Sequence, residues 1–306
     1  MNPRPPALLV VNPAAHSVSP GQEDPVMGAL SRGFDVELAE TKSPGHATEL
    51  ASEAAEQGLG LVVVLGGDGT VNEVANGLAG TGTALSVLPG GEANILARSL
   101  GIGRDPVQAA RALATRAGDE PRLIPLARLN ARWFVSNCGV GLDAAIVRRV
   151  ERNPKAKQRG GDLFFLWSGV RVFFSEYDRK APHLDLSWGP SLEHRAEGVF
   201  LVIVQNLPPY TYFGRRPMRM CPDASLESGL DVLAMDSFRP RHVLPVAVST
   251  FTRARHPRRK HVVYVRDQRR LHVHCRKPMP VQADGEYLGE HEEIEIEGVP
   301  GGLRVL

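Results

Sequence analysis

The chain has 306 residues, 42% of them hydrophobic and 23% charged, with a formal net charge of +2. These fractions are globular and exclude overall disorder, a strongly acidic chain and a globally basic one. The length sets a prior of two domains at about 150 residues each.

In chain order, Met1-Asn2-Pro3-Arg4-Pro5-Pro6 leads into five apolar residues, 7–11, too few for a secretory h-region. No run approaches the ~20 apolar residues that span a bilayer. Residues 7–12 read as a short strand ending in Asn12-Pro13, and 35–41 as a second strand. Residues 46–57 place Ala47, Leu50, Ala51 and Ala54 at helical spacing. Residues 61–65 (LVVVL) form the continuous apolar run of a buried parallel strand. It breaks at Gly66-Gly67-Asp68-Gly69-Thr70, and a helix follows over 71–78. Another strand, 84–88, leads through Pro89-Gly90-Gly91 into a helix over 93–100. This strand-loop-helix order predicts an open α/β sheet with ligands at the loops leaving the strands' carboxyl ends.

Beyond residue 122 strand signals dominate, at 123–129, 133–138, 184–188, 199–205, 230–234, 262–265, 271–275 and 293–297. Helical stretches interrupt them at 143–152, 163–175 and 242–253. We expect a second domain on antiparallel sheet, of sandwich type. Cys138, Cys221 and Cys275 stand far apart without CxxC spacing, which argues against a disulfide framework or structural zinc and fits a reduced cytoplasm.

The octet Gly66-Gly67-Asp68-Gly69-Thr70-Val71-Asn72-Glu73 is the most specific feature. Its three glycines allow a ligand close to the backbone, and the N–H groups of the helix start can hold phosphate oxygens. An aspartate there would repel phosphate unless it bound a metal or accepted a proton. A plain βα turn is the competing explanation, and the specificity of the octet weighs against it. Pro89-Gly90-Gly91-Glu92-Ala93-Asn94 should lie beside it at the same sheet edge. Gly139-Val140-Gly141-Leu142-Asp143-Ala144 matches a dinucleotide fingerprint but lacks a parallel βαβ unit. There is no P-loop and no HExxH, and His272 and His274, on one strand face, read as solvent-exposed. Ala283-Asp284-Gly285-Glu286 reads locally as an Asp-Gly turn.

Charge is uneven. Residues 239–277 carry twelve Lys/Arg and one acid, Asp267. They are either solvated faces or a surface for an anionic membrane. With only Phe251 and Tyr264 as aromatics there is no stacking platform, so nucleic acid is not an expected partner. The stretch 163–174 (LFFLWSGVRVFF) reads first as an ordinary core helix, with an acyl-chain or membrane contact as the other reading.

Together these motifs resemble the diacylglycerol kinase catalytic-domain family, which includes sphingosine kinases and bacterial lipid kinases and is distantly related to NAD kinases. Asn12-Pro13, Thr41 with His46-Ala47, the octet, residues 89–102, Asn137-Cys138-Gly139-Val140-Gly141-Leu142-Asp143, Pro222-Asp223-Ala224, Gly229-Leu230-Asp231-Val232 and Asp284-Gly285-Glu286 carry the resemblance. It implies an N-terminal α/β domain (1–122, with 298–306 returning to it), a β-sandwich domain (123–297) and an active-site cleft between them. It also implies ATP and Mg²⁺ as cofactors and a lipid hydroxyl as acceptor, diacylglycerol-like or sphingoid-like. The cysteines and the charge pattern add the expectation of a cytoplasmic protein, peripheral at the inner membrane face where 239–277 meets a membrane. Asp284 is assigned as general base and Asp68 to Mg²⁺ or proton transfer, two roles that could be exchanged. Asn12, Thr41, Gly66, Gly67, Gly69, Thr70, Glu73, Gly91, Asn94 and Glu286 are assigned to the nucleotide.

Three departures stand out. The first motif runs Asn12-Pro13-Ala14-Ala15-His16 where the family has Asn-Pro-x-Ser-Gly. Glu92 stands where the second loop has threonine, at the expected helix start, where it would compete with phosphate for N–H groups unless Arg98 or Mg²⁺ offsets it. Ser228-Gly229 replaces an Asp-Gly. NAD kinase activity and a catalytically impaired lipid-binding homologue are the alternative readings.

Overall fold

The computed structural model describes residues 4–15 and 21–306; Met1, Asn2, Pro3 and His16 lie outside the described residues. The chain divides into two compact units, Met1–Leu126 with Pro300–Leu306, and Ala127–Val299.

The first unit runs β1 (Pro6–Val11), α1 (Glu23–Leu30), β2 (Asp35–Glu40), α2 (His46–Glu56), β3 (Leu61–Gly66), α3 (Asp68–Leu78), β4 (Ala84–Pro89), α4 (Ile95–Ser99) and α5 (Pro106–Ala114). The strands pair in parallel in the order β2-β1-β3-β4. Leu9, Val63 and Leu65 share a core with Val26 and Leu30 of α1 and Leu113 of α5. The alternating residues Leu8, Val10, Val62 and Val64 are buried as well, as a sheet covered on both faces requires. The chain's last residues extend this sheet: Val305 pairs in parallel with Leu85, and Ser86 Oγ donates to the Leu306 carbonyl at 3.0 Å.

The second unit runs β5 (Arg122–Leu129, entering from the first), β6 (Arg132–Phe134), β7 (Asn137–Gly141), α6 (Leu142–Glu151), α7 (Pro154–Arg171), β8 (Leu184–Trp188), β9 (His194–Val199), β10 (Leu201–Gln205), β11 (Thr211–Phe213), β12 (Arg216–Met218), β13 (Leu230–Met235), α8 (Pro240–Thr250), β14 (Val262–Gln268), β15 (Arg270–Ala283) and β16 (Glu286–Val305). Neighbours in β14-β13-β10-β7-β15 are all antiparallel. β15 serves two sets of partners. It bonds β16 in both halves, β8 through Leu271–Cys275 and β7 through Val281–Ala283, with a register break against β16 between His274 and Met279. That break lets one strand pass between the layers of a sandwich around Val140, Val202, Val232, Val273 and Ile294.

Several boundaries differ from the sequence reading. α3 begins at Asp68 rather than at Val71, and α4 begins at Ile95 rather than 93. The stretch 133–138 is two strands, parted at Val135-Ser136, and 199–205 is cut at Phe200, whose N–H turns to Met235. α1 and α5 are additional helices, the latter opened by Asp105 accepting from Val107 and Gln108 N–H groups. The larger correction concerns 163–174. It is not a core helix: Leu163 is 77%, Leu166 53%, Trp167 49%, Val170 52% and Phe174 48% exposed. His274 is exposed, as expected, and His272 partly so, and both pair with Glu293 at 2.8 Å.

Leu303 is 1% exposed within the first unit. Leu303→Ala should lower unfolding free energy by about 2–5 kcal/mol through lost burial and a residual cavity, measured by denaturant melts.

Candidate active site

In the first unit the two glycine-rich loops leave adjacent parallel strands. Gly67 is extended and α3 starts at the next residue, so Asp68, Gly69 and Thr70 form the helix's first turn. Gly90 N–H donates to the Gly66 carbonyl at 2.9 Å. A Cβ on Gly91 would lie 2.7 Å from Gly67 Cα, and one on Gly66 would lie 2.9 Å from Thr70 Cβ. The loops can meet only without side chains there, and the bare backbone they share is open to a ligand of the phosphate type.

Polar side chains brace this cradle. Asn12 Nδ2 donates to Thr70 Oγ1 at 2.9 Å, and Asn12 Oδ1 accepts from Ala14 N–H. Asn94, with φ of 47°, closes the second loop: Gly91 N–H donates to Asn94 Oδ1 at 2.8 Å and Asn94 Nδ2 donates to the Gly91 carbonyl at 2.6 Å. Asp68 Oδ1 accepts from Ile95 N–H at 2.6 Å, so the aspartate of one loop caps the helix that follows the other. Thr41 follows β2, its N–H bonded to Val11. Glu92 is exposed and lies two residues ahead of Asn94, and the first N–H of the helix, at Ile95, goes to Asp68. Glu73 turns elsewhere: its Oε2 accepts from Ala47 N–H at the start of α2, and its carbonyl accepts from Thr48 Oγ1.

In the second unit Asp284 and Gly285 both take positive φ, 48° and 81°, and form the turn between β15 and β16. The Asp284 carboxylate accepts three consecutive backbone N–H groups, from Val135 at 2.6 Å, Ser136 at 2.7 Å and Asn137 at 3.0 Å. Glu286 pairs with Arg132. Behind the turn lies a buried network that the sequence reading did not assign. Asp143 accepts from Tyr210 OH at 2.5 Å and Gln282 Nε2 at 2.7 Å, while Gln282 Oε1 accepts from Gly285 N–H. Asn137 Nδ2 donates to the Tyr210 carbonyl. A Cβ on Gly139 would lie 1.9 Å from Asp143 Oδ2, so the glycine of the fingerprint look-alike makes room for a carboxylate. β7 also has antiparallel neighbours on both sides, which excludes a dinucleotide βαβ unit there. The signal for this network was the spacing of Asn137, Gly139 and Asp143; its partners Tyr210 and Gln282 lie too far along the chain to be found by spacing.

Burial raises the Asp143 carboxyl above its ordinary range, outweighing the lowering by Tyr210 and Gln282. Among the described residues no three His, Cys, Asp or Glu side chains cluster as a metal site. Mg²⁺ does not need such a cage, since it takes one or two carboxylates together with substrate phosphates and water. Asp68 beside the bare-backbone cradle fits that requirement.

These features define a protein of two units, a parallel α/β sheet with paired glycine-rich loops and an antiparallel sandwich anchored on an Asp-Gly turn. The diacylglycerol kinase catalytic domain matches residues 6–123, and the YegS C-terminal NAD kinase β-sandwich-like domain matches 136–306. The chain belongs to the family in which these two domains follow one another. A diacylglycerol kinase of Bacillus subtilis (strain 168) is 28% identical over 260 residues, 84% of this chain and 81% of that protein. A "Probable lipid kinase YegS-like" protein of Cronobacter sakazakii is 29% identical over 284 residues, 89% of this chain and 86% of that one. The crystal structure of a diacylglycerol kinase from Bacillus anthracis str. Sterne shares the fold with a TM-score of 0.77 at 22% identity, covering 98% of this chain and 96% of that one.

Two outcomes are expected. Asp284→Asn turns an amide NH₂ toward backbone donors, which should cost about 1–3 kcal/mol of stability, read by denaturant melts. Asp143 binds its proton more tightly folded than unfolded. Its contribution is therefore fully present below the ordinary value of 3.8 and is lost as pH rises through the higher folded value. Between about pH 4 and about pH 7, Asp143→Asn should gain stability relative to the parent chain, read from melts at both pH values.

Proposed function

We propose that the chain is a kinase that transfers the γ-phosphoryl group of ATP to a lipid hydroxyl. The observation that carries this reading is the approach of Gly67 to Gly91 at the carboxyl ends of β3 and β4, with Asp68 beside it. Family membership and the relatives' names support lipid as the acceptor class.

ATP would supply the phosphoryl group, and Mg²⁺ would offset charge on its phosphates. The first-turn N–H groups of α3, with Gly67 and Gly69, receive phosphate oxygens in this reading, while Gly66 and Gly91 leave room by lacking side chains. Asn12 orients Thr70, Asn94 keeps the second loop closed, and Thr41 borders the nucleotide. Asp68 holds the cation. Asp284 accepts the proton of the lipid hydroxyl; a loose transition state demands little base strength, so a carboxylate fixed by three N–H groups suits the task as an orienting base. Glu73 and Glu286, engaged with Ala47 and Arg132, are positioning residues.

The test supplies γ-labelled ATP and Mg²⁺ with diacylglycerol, sphingosine, NAD or a total bacterial lipid extract. Label in the lipid phase supports the reading; label only in NAD, or in no acceptor, overturns it. Asp68→Asn keeps an oxygen for Ile95 N–H, so it should fold normally and lower turnover by at least ~10²-fold. Near-parental phosphorylation by the folded variant would remove Asp68 from its assigned role.

A further inference from the structure

We propose that the outer face of α7 is a docking surface for an anionic lipid bilayer. This stands on the surface itself and does not require the kinase reading. α7 bends at Gly161, whose φ of 46° and ψ of −131° interrupt the helix, and a π turn (Val172–Glu176) continues it. Beyond the bend, Leu163, Leu166, Trp167, Val170 and Phe174 fall at i, i+3, i+4, i+7 and i+11, one stripe along the helix. All five are about half exposed or more.

The polarity of this helix is reversed. Ser168 is fully buried, with Val172 and Phe173, while the large apolar side chains face outward. Scattered exposed apolar residues need no explanation, but an aligned stripe of five marks an interaction surface.

The charges around the stripe indicate what covers it. The Arg149 and Arg171 guanidinium groups lie 5.0 Å and 5.6 Å from the Trp167 ring centre, and Arg179 lies 5.2 Å from that of Phe174. A pocket of about 90 Å³ beside Arg149 is lined by Ala145, Arg148, Arg149, Arg152, Asn153 and Glu176. Arg148 pairs with Glu290, and Arg149 and Arg171 both pair with Glu176. Arg152 is exposed and has no carboxylate partner among the described residues. An apolar ridge with Trp at its middle and arginines along its edges matches a bilayer interface: acyl chains take the ridge, Trp sits at headgroup level, and arginines meet anionic phosphates.

No helix among the described residues is long and apolar enough to cross a membrane, so the helix would lie in the interface. α8 adds exposed Leu244 and Val248. Edge-to-face contacts from Phe165 to Phe213 and from Phe213 to Phe251 join α7 to the end of α8. In this proposal the stripe supplies insertion, and exposed basic residues that follow α8, such as Arg258 and Lys260, add electrostatic attraction.

The full chain is tested by flotation with phosphatidylcholine vesicles and with vesicles of phosphatidylcholine and phosphatidylglycerol in about equal parts. Binding to the anionic vesicles should be at least ~10-fold tighter and should weaken with salt. Leu166→Glu with Val170→Glu should weaken it at least ~10-fold at an unchanged melting temperature. Arg258→Glu with Lys260→Glu should weaken it less. If the first pair fails to fold, Leu166→Ser with Val170→Ser should still reduce binding ~3-fold or more. Parental binding by a folded stripe variant would overturn the proposal, as would absence of binding to either vesicle. A dimer dissolved by the same substitutions, without vesicle binding, would assign the stripe to self-association and overturn it too.

Discussion

The long hairpin of β15 and β16 depends on one carboxylate. Asp284 occupies a left-handed turn and accepts three successive backbone N–H groups from Val135 to Asn137. Val135 and Ser136 lie at the break between β6 and β7, and Asn137 opens β7. A single side chain therefore satisfies an irregular stretch of backbone and sets where the hairpin turns. Without it, three N–H donors would need other partners, at about 1–3 kcal/mol for each one left buried and unbonded. The Asp143, Tyr210 and Gln282 network extends the same arrangement inward, since Gln282 joins Asp143 to the Gly285 N–H. A buried acid is kept there because its hydrogen bonds run to the turn it supports.

The first unit uses a carboxylate in a related way. Asp68 follows β3 but bonds the first N–H of α4, which ties the two loops together. Their approach is possible because Gly67 and Gly91 carry no Cβ atoms. A nucleotide's phosphates need that geometry: exposed N–H groups, little steric bulk and a carboxylate beside them for a cation. The carboxylate is thus part of the frame and of the proposed chemistry at once.

α7 shows a different constraint. Its apolar stripe is not needed to close the core, which is filled by Val172, Phe173, Phe200, Phe238 and their neighbours. Leaving Leu163, Leu166, Trp167, Val170 and Phe174 in water carries a hydrophobic cost, of order 1.5–3 kcal/mol for each side chain relative to full burial. A cost of that size is offset when the face meets a nonaqueous partner.

The sequence by itself determined much of this protein. LVVVL, the two glycine-rich turns and the Asn-x-Gly-x-Gly-x-Asp spacing are local patterns. Local patterns specify strands, tight turns and the residue types near a ligand, because period, steric freedom and capping act over a few residues. The antiparallel character of the second unit was legible for the same reason. Tertiary structure alone decided what each polar side chain bonds. Glu73 went to Ala47, Glu286 to Arg132, Asp68 to Ile95 and Asp143 to Tyr210, across separations no spacing rule encodes. It also decided that Leu163, Leu166, Trp167, Val170 and Phe174 face outward. Hydrophobic content records how strongly a segment avoids water, and the direction in which that avoidance is satisfied depends on what the rest of the chain has already buried.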